Sequence, residues 1–559
     1  MKNWFNQHII PQFEFLNAET VQAWFTYNPA EPMLFNTARF FAMFLVFYSI
    51  YIALRKTFYP RLIYVICFSL FFYYLSSGAF FILIVVSSLF DYVVTKRMYY
   101  AKSEVTKKVI VTLSVIVNLG LLGYFKYMNF FIDSINTVSN SFIEFQKIAL
   151  PVGISFFTFQ SISYVVEIYR KEIKPTKSYI DYLFFISFFP QLVAGPIVRA
   201  KDFLSQIYTD LTITKEDMNQ GMLLIIGGLI KKVVISDYIS SNFVDRVYDL
   251  PTAYTPFENL MASYGYAIQI YCDFSGYSDM AIGIALLLGF KLPTNFNTPY
   301  QSKSITEFWR RWHISLSTWL KDFLYISVGG NRNGTFAGFL FPVLFFAAVL
   351  GWGIYMLDAS IIPLLIAIGS LVVFCLSFLL SKNKERTMFT DVNLMTTMLL
   401  GGLWHGASLR YIVWGALHGV ALAVHKLVLE YFPETDKKSF GKTLWQIFAV
   451  ILTFNFVTFC WIFFRAKDFD TALQIITNIG KLTFDFNQWY IIYQGYANVF
   501  LVMLIGLVWH FLPTAWLQKI QAVFIQAPLV GKAIILALVY WLVFATAQEG
   551  PQPFIYFQF

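Results

Sequence analysis

The chain reads as an all-α polytopic membrane protein, and three observations predict this. Of its 559 residues, 58% are hydrophobic and 20% aromatic, while only 13% are charged; a soluble domain carries about 25% charged residues. Apolar windows long enough to cross a hydrocarbon layer of ~30 Å recur from Phe40 to Phe544. These windows are continuous, whereas a membrane β-barrel alternates apolar and polar residues over segments of about ten.

Taken in order, residues 1–36 mix acids with aromatics and predict a short extramembrane amphipathic lead-in rather than a cleaved signal. Residues 37–559 then form one transmembrane domain, with candidate spans near 38–54, 61–77, 79–95, 109–125, 148–168, 180–198, 219–236, 260–290, 337–356, 361–380, 391–403, 408–429, 444–464, 496–513 and 529–547. Some are expected to be re-entrant or interfacial, and the 260–290 window to be broken. Arg55, Lys56 and Arg61 separate the first two spans, and Lys96, Arg97, Lys102, Lys107 and Lys108 follow the third. The turn Ser76-Ser77-Gly78 between them is uncharged, so both basic loops are expected in the cytoplasm. The net charge of +9 is read the same way, as loops retained inside rather than a nucleic-acid surface. Four cysteines stand singly in apolar sequence, which suggests neither a zinc site nor a disulfide framework.

Polar and helix-breaking residues interrupt several windows: Asn118, Pro151, Pro190 with Pro196, and the stretch Tyr271 to Asp279, which holds Asp273 and Asp279. Such residues are tolerated at membrane depth where protein or a water-filled cavity surrounds them. They point to an internal chamber. A transporter or flippase would be built this way too, and a non-catalytic scaffold remains a third reading.

Two stretches carry the candidate chemistry. Ser304 to Asn331, SITEFWRRWHISLSTWLKDFLYISVGGN, places Trp309, Trp312, Leu316, Trp319, Leu320 and Phe323 on one helical arc, with Arg310, Ser317 and Lys321 opposite and His313 at the border. A basic, tryptophan-rich amphipathic helix belongs at a membrane–water boundary. The apolar run Leu399 to Val413, LLGGLWHGASLRYIV, buries His405. A neutral imidazole is tolerated in lipid far better than a charge, and it still accepts a proton, so histidine suits a base in an apolar place. Gly402 and Gly406 would let another backbone or a thin ligand come close. Each histidine also has a structural reading, an interhelical hydrogen bond for His405 and an anchor-helix residue for His313. His418 and His425 share a helix face and are expected to pack or bond structurally, while His8 and His510 lack polar company. The run Gly329 to Gly334 lacks the spacing of a nucleotide fingerprint, and no GxSxG elbow or HExxH motif occurs.

These motifs, SITEFWRRWHISLSTWLKDFLYISVGGNR and TTMLLGGLWHGASLRYIVWGALHG, resemble the bacterial alginate- and peptidoglycan-acetylating branch of the membrane-bound O-acyltransferase family. NLGLLGYFKYMNFF, LPVGISFFTFQSISYVVEIYR, FFPQLVAGPIVR and YCDFSGYSDMAIGIALLLGFKLPTNFNTPY extend the likeness from about residue 60 to about 470. The resemblance implies a ring of tilted helices around a thinned centre with a tunnel, in the bacterial inner membrane. It implies His405 as the essential histidine and His313 on the cytoplasmic approach. It also implies acetyl-CoA as donor, held near Arg310, Arg311, Lys321, Asn331, Arg332 and Trp404, with no metal. The acceptor is then a polysaccharide outside the cell, and an extracytoplasmic transferase of the SGNH type is the expected partner. The sequence departs from the family pattern at about 335–386, where two apolar windows between basic ends predict an inserted helical hairpin that need not disturb the core.

Overall fold

The computed structural model describes residues 18–139, 142–209, 211–355, 362–432, 440–546 and 554–555, and every regular element among them is helical. The helices used below are α1 (Ala38–Leu54), α2 (Phe58–Ser77), α3 (Phe81–Tyr100), α4 (Glu104–Leu122), α5 (Ile154–Tyr169), α6 (Tyr179–Ser187), α7 (Lys215–Leu229) and α8 (Pro256–Leu287). They continue with α9 (Ile305–Arg311), α10 (Ile314–Trp319), α11 (Phe336–Tyr355), α12 (Ile362–Leu380), α13 (Lys384–His405), α14 (Leu409–Tyr431) and α15 (Phe440–Arg465).

Four helical runs among the described residues are long and apolar enough to cross a membrane: Phe58–Tyr100, Glu104–Asn136, Leu409–Tyr431 and Thr443–Arg465. A fifth, Phe486–Gly495 with Ala497–Phe511, passes the same test but bends by 88° at its break. The protein is thus a multi-span helical membrane protein, in which some expected windows form shorter apolar helices and those at 148–168 and 260–290 hold helices buried within the protein. Gly78 takes φ +65° at the uncharged turn between α2 and α3, a conformation that favours glycine. The described part of the lead-in docks on this region: Met33 N donates to Leu75 O at 3.1 Å, and Phe35 stacks on Phe72 and Tyr277. His8 lies outside the described residues.

The window 260–290 is not broken. α8 runs 32 residues without interruption, started by Pro256 and by a capping box between Thr255 and Glu258. Its polar residues are tolerated because it is a core helix, surrounded by protein. It crosses α7 at two glycine pairs: a Cβ on Gly228 would stand 2.5 Å from Gly276 O, and one on Gly283 2.5 Å from Gly221 O. The acids expected to line a chamber are ion-paired. Lys232 Nζ lies 2.5 Å from Asp273 and 2.8 Å from Asp237, and Lys231 Nζ lies 2.6 Å from Asp279. Asp273 also accepts from the backbone N–H of Ile555 at 3.0 Å, while Phe554 packs on Phe274 and Tyr277.

The two windows after Gly334 form α11 and α12, which pack on each other through Phe346 and Phe374. This pair leans on the core: Phe346 joins Met395, Leu399 and Ala416 in a small cluster, and Thr396 Oγ1 donates to Gly338 O at 2.7 Å. It therefore buttresses α13, the helix that ends at His405.

Candidate active site

α13 and α14 carry the first histidine. They cross at closest approach where Gly402 meets the backbone of Tyr411 and Gly415 meets that of Met398; a Cβ at either glycine would stand 2.2 Å from the facing carbonyl oxygen. Another backbone, not a ligand, occupies the space beside Gly402, and the ring of Tyr411 fills the space beside Gly406. His405 is consequently held as the last residue of α13, 3% exposed, with its ring 4.9 Å from Trp404, 5.0 Å from Trp414 and 5.1 Å from Phe464.

The second histidine sits at a break the periodicity did not foresee. The segment from Ser304 is not one amphipathic helix: α9 ends at Arg311, α10 begins at Ile314, and a π-turn Leu320–Tyr325 follows. His313 takes φ +42°, a left-handed conformation that a non-glycine residue adopts at a cost. Asn295 holds it there. Ile314 N donates to Asn295 O at 2.8 Å, while Ser315 N and Ser315 Oγ donate to Asn295 Oδ1 at 3.2 and 2.9 Å. The break turns His313 away from the border of the helix and into the core, where it is 0% exposed.

Asn295 also sets the tautomer. A backbone N–H can only donate, so Ser315 N requires Oδ1 rather than Nδ2 to face it. The amide nitrogen points the other way, to Ser278 Oγ at 3.0 Å. His313 Nδ1, 3.1 Å from the same Oδ1, must then carry the proton, and the lone pair of the neutral ring belongs to Nε2.

Trp404 joins the two histidines. Its ring lies 6.1 Å from His313 and 4.9 Å from His405, edge to face in both cases, and it stacks on Phe159 at 5.3 Å. Phe159 in turn stacks on Trp319 at 3.7 Å, and Trp319 Nε1 donates to Phe159 O. A clamp on the neighbouring π-turn holds this wall in place. Arg199 bonds Glu167 at 2.9 Å and Asp322 at 2.5 Å, with its guanidinium over the ring of Phe323.

The residues expected near the donor divide into groups. Arg310, Lys321, Asn331 and Arg332 are exposed, and Trp404 is buried against both histidines. Arg311 is engaged by Glu307 at 2.8 Å and by Asn297 O and Thr298 Oγ1. Asn331 is bonded by Tyr325 Oη, and its loop is bolted to α13: Asn393 Nδ2 donates to Gly330 O at 2.9 Å and to Asn333 O at 3.0 Å. Asn393 precedes His405 by 12 residues, about 18 Å of helix at 1.5 Å per residue. His418 accepts from Trp309 Nε1 at 3.3 Å and His425 bonds Thr306 at 2.8 Å, so both bond structurally as expected. His510 does have polar company, accepting from Tyr300 N at 3.0 Å.

The helices enclose two buried histidines inside a multi-span membrane protein, and comparison with known proteins assigns its class. Residues 80–356 match the model of MBOAT, the membrane-bound O-acyltransferase family. The chain is 34% identical over 472 residues to the probable alginate O-acetylase AlgI of Pseudomonas putida, covering 80% of this chain and 84% of that protein. It is 34% identical over 481 residues to the peptidoglycan O-acetyltransferase of Helicobacter pylori, covering 80% of each. A teichoic acid D-alanyltransferase of Bacillus subtilis is 28% identical over 57% of this chain and 69% of that protein. The chain belongs to the membrane-bound O-acyltransferase family, and is an O-acyltransferase of the bacterial inner membrane.

Proposed function

We propose that the protein passes an acetyl group from cytoplasmic acetyl-CoA toward hydroxyls of a polysaccharide outside the cell, with His405 and His313 as the reacting pair. The observation that carries this is the packing of two buried imidazoles edge to face with one indole, with the tautomer of His313 set by Asn295. The alginate and peptidoglycan acetylation named for the relatives supports the acyl group and the acceptor class.

In this reading His405 takes the proton of the incoming hydroxyl as its oxygen attacks the thioester carbonyl. The C–S bond then breaks, and the proton passes to the departing CoA thiolate. A variant in which the imidazole carries the acetyl group transiently uses the same contacts. The exposed Arg310, Lys321 and Arg332 would meet the phosphates of CoA, with Asn331 beside them. The loop of Asn331 and Arg332 is anchored about 18 Å along α13 from His405. A donor whose phosphates and thioester lie at opposite ends of a long arm requires such a separation. Burial excludes bulk water and limits thioester hydrolysis. A secreted transferase of the SGNH type would complete delivery.

The test is His405→Ala in reconstituted protein, read as acetyl-CoA-dependent thiol release and as acetyl esters on cell-envelope glycans. Loss of both at unchanged folding is expected; release at the wild-type rate overturns the role. A transporter reading predicts substrate flux without thiol release, which the same vesicles report.

A further inference from the structure

A helix leaves its last four carbonyl groups without intrahelical partners, and a left-handed glycine just beyond the end is the common way to satisfy them. α13 ends without that device. The described glycines with positive φ are Gly78, Gly153, Gly289, Gly329 and Gly330, and Gly406 is not among them. Three of the last four carbonyls are closed instead from far away in sequence. Lys126 Nζ donates to Trp404 O at 2.6 Å and to His405 O at 3.0 Å, and Tyr127 Oη donates to Leu403 O at 2.7 Å. The same ammonium lies 5.9 Å from the ring centre of Trp404, the indole that both histidines touch edge to face.

We infer that Lys126, with Tyr127, is a positioning residue for the acyl transfer, holding the imidazole of His405 in register by closing the end of the helix that bears it. Three features support this over simple packing. Lys126 and Tyr127 end a π-helical segment, Gly123–Tyr127, inserted in the span Glu104–Asn136, and such segments are frequent at functional sites. A cation at a helix C-terminus is favoured by the aligned peptide dipoles, and among the described residues Lys126 forms no ion pair with a carboxylate. And a half-buried lysine in a span is costly unless it has a specific partner, which here is the backbone of Trp404 and His405. Without the clamp the last turn of α13 is free to fray, and His405 is its terminal residue.

The inference rests on the reading of His405 as the reacting imidazole, and the experiment separates the two. Lys126→Met, Lys126→Arg and Tyr127→Phe are compared with wild type for kcat, KM for acetyl-CoA and thermal midpoint. The imidazole NMR signal of His405 is recorded in histidine-labelled protein, identified by its loss in His405→Ala. Lys126→Met is expected to lower kcat roughly 10- to 100-fold with KM and midpoint unchanged, the scale of a reacting group displaced by about 1 Å. The His405 signal should move, and Lys126→Arg should restore part of both. Lys126→Met combined with His405→Ala should be no slower than His405→Ala alone. A wild-type kcat in Lys126→Met, an unmoved His405 signal, or a fall in midpoint with no change in kcat overturns the inference. If His405→Ala keeps full activity, the proposed function fails, while the NMR shift still decides whether the clamp sets the position of the ring.

Discussion

Two adjacent glycines should respond in opposite ways to the same substitution. At Gly402 an added Cβ would stand 2.2 Å from Tyr411 O and 3.0 Å from Tyr411 C, both backbone atoms of α14. Even the tightest tolerable contact, 3.0 Å, requires the helices to part by at least ~0.8 Å there. Overpacking of this kind costs about 1–3 kcal/mol of stability. The larger effect falls on the reaction, because His405 follows three residues later, about 4.5 Å along the axis, and moves with the helix. A displacement near 1 Å lowers rates by roughly 10²-fold, or about 2.7 kcal/mol of barrier. At Gly401 the added Cβ meets only Leu320 Cδ1, 3.3 Å away, the far end of a side chain that can yield. Alanine is also a better helix former than glycine by about 1 kcal/mol. Gly401→Ala should therefore fold at least as well as wild type and retain its rate, while Gly402→Ala loses about 100-fold in kcat. Thiol release in proteoliposomes and the thermal midpoint in detergent measure both. Wild-type kinetics in Gly402→Ala, or equal losses in the two variants, would refute the close-crossing argument.

Other perturbations have equally definite outcomes. Arg199→Ala leaves the 0% exposed Glu167 without its guanidinium, and breaking a buried pair costs about 3–5 kcal/mol; the midpoint should fall sharply, and Glu167→Gln in the same background should recover much of it. Asn295→Ala removes the acceptor shared by His313 and Ser315. It should lower stability by about 1–3 kcal/mol and kcat by on the order of 10-fold as His313 loses its fixed tautomer, and a wild-type pH–rate profile in that variant would show the tautomer to be immaterial. Lys232→Met strands Asp237 and Asp273 in the core and should prevent stable folding, seen as loss of the monodisperse peak in size-exclusion chromatography.

What could be read in advance, and what could not, follows from the range of each interaction. The helical membrane class, the burial of His405 and the close approach at Gly402 are properties of composition and of short windows, and they were legible. The shape of the Ser304 to Asn331 stretch was not, because a wheel assumes one continuous helix. The positive φ at His313 is imposed by Asn295, 18 residues earlier. The window at 260–290 reads as broken because the stretch Tyr271 to Asp279 holds two acids, which in fact pair with Lys231 and Lys232 against an unbroken helix. Lys126 acts on a helix end nearly 280 positions away. Its one local signal was a lone lysine among apolar and aromatic neighbours in NLGLLGYFKYMNFF.

The glycine crossings between α7 and α8 and between α13 and α14 have a mechanical consequence. Each interlocks carbonyl oxygens against bare α-carbons, so neither pair can shear without lifting apart first. Whatever opens during turnover must hinge elsewhere. Nor is the segment from Ile305 to Tyr325 such a hinge: Asn295 pins its joint at His313 and Arg199 ties down its far end, so this wall of the site keeps its shape as well.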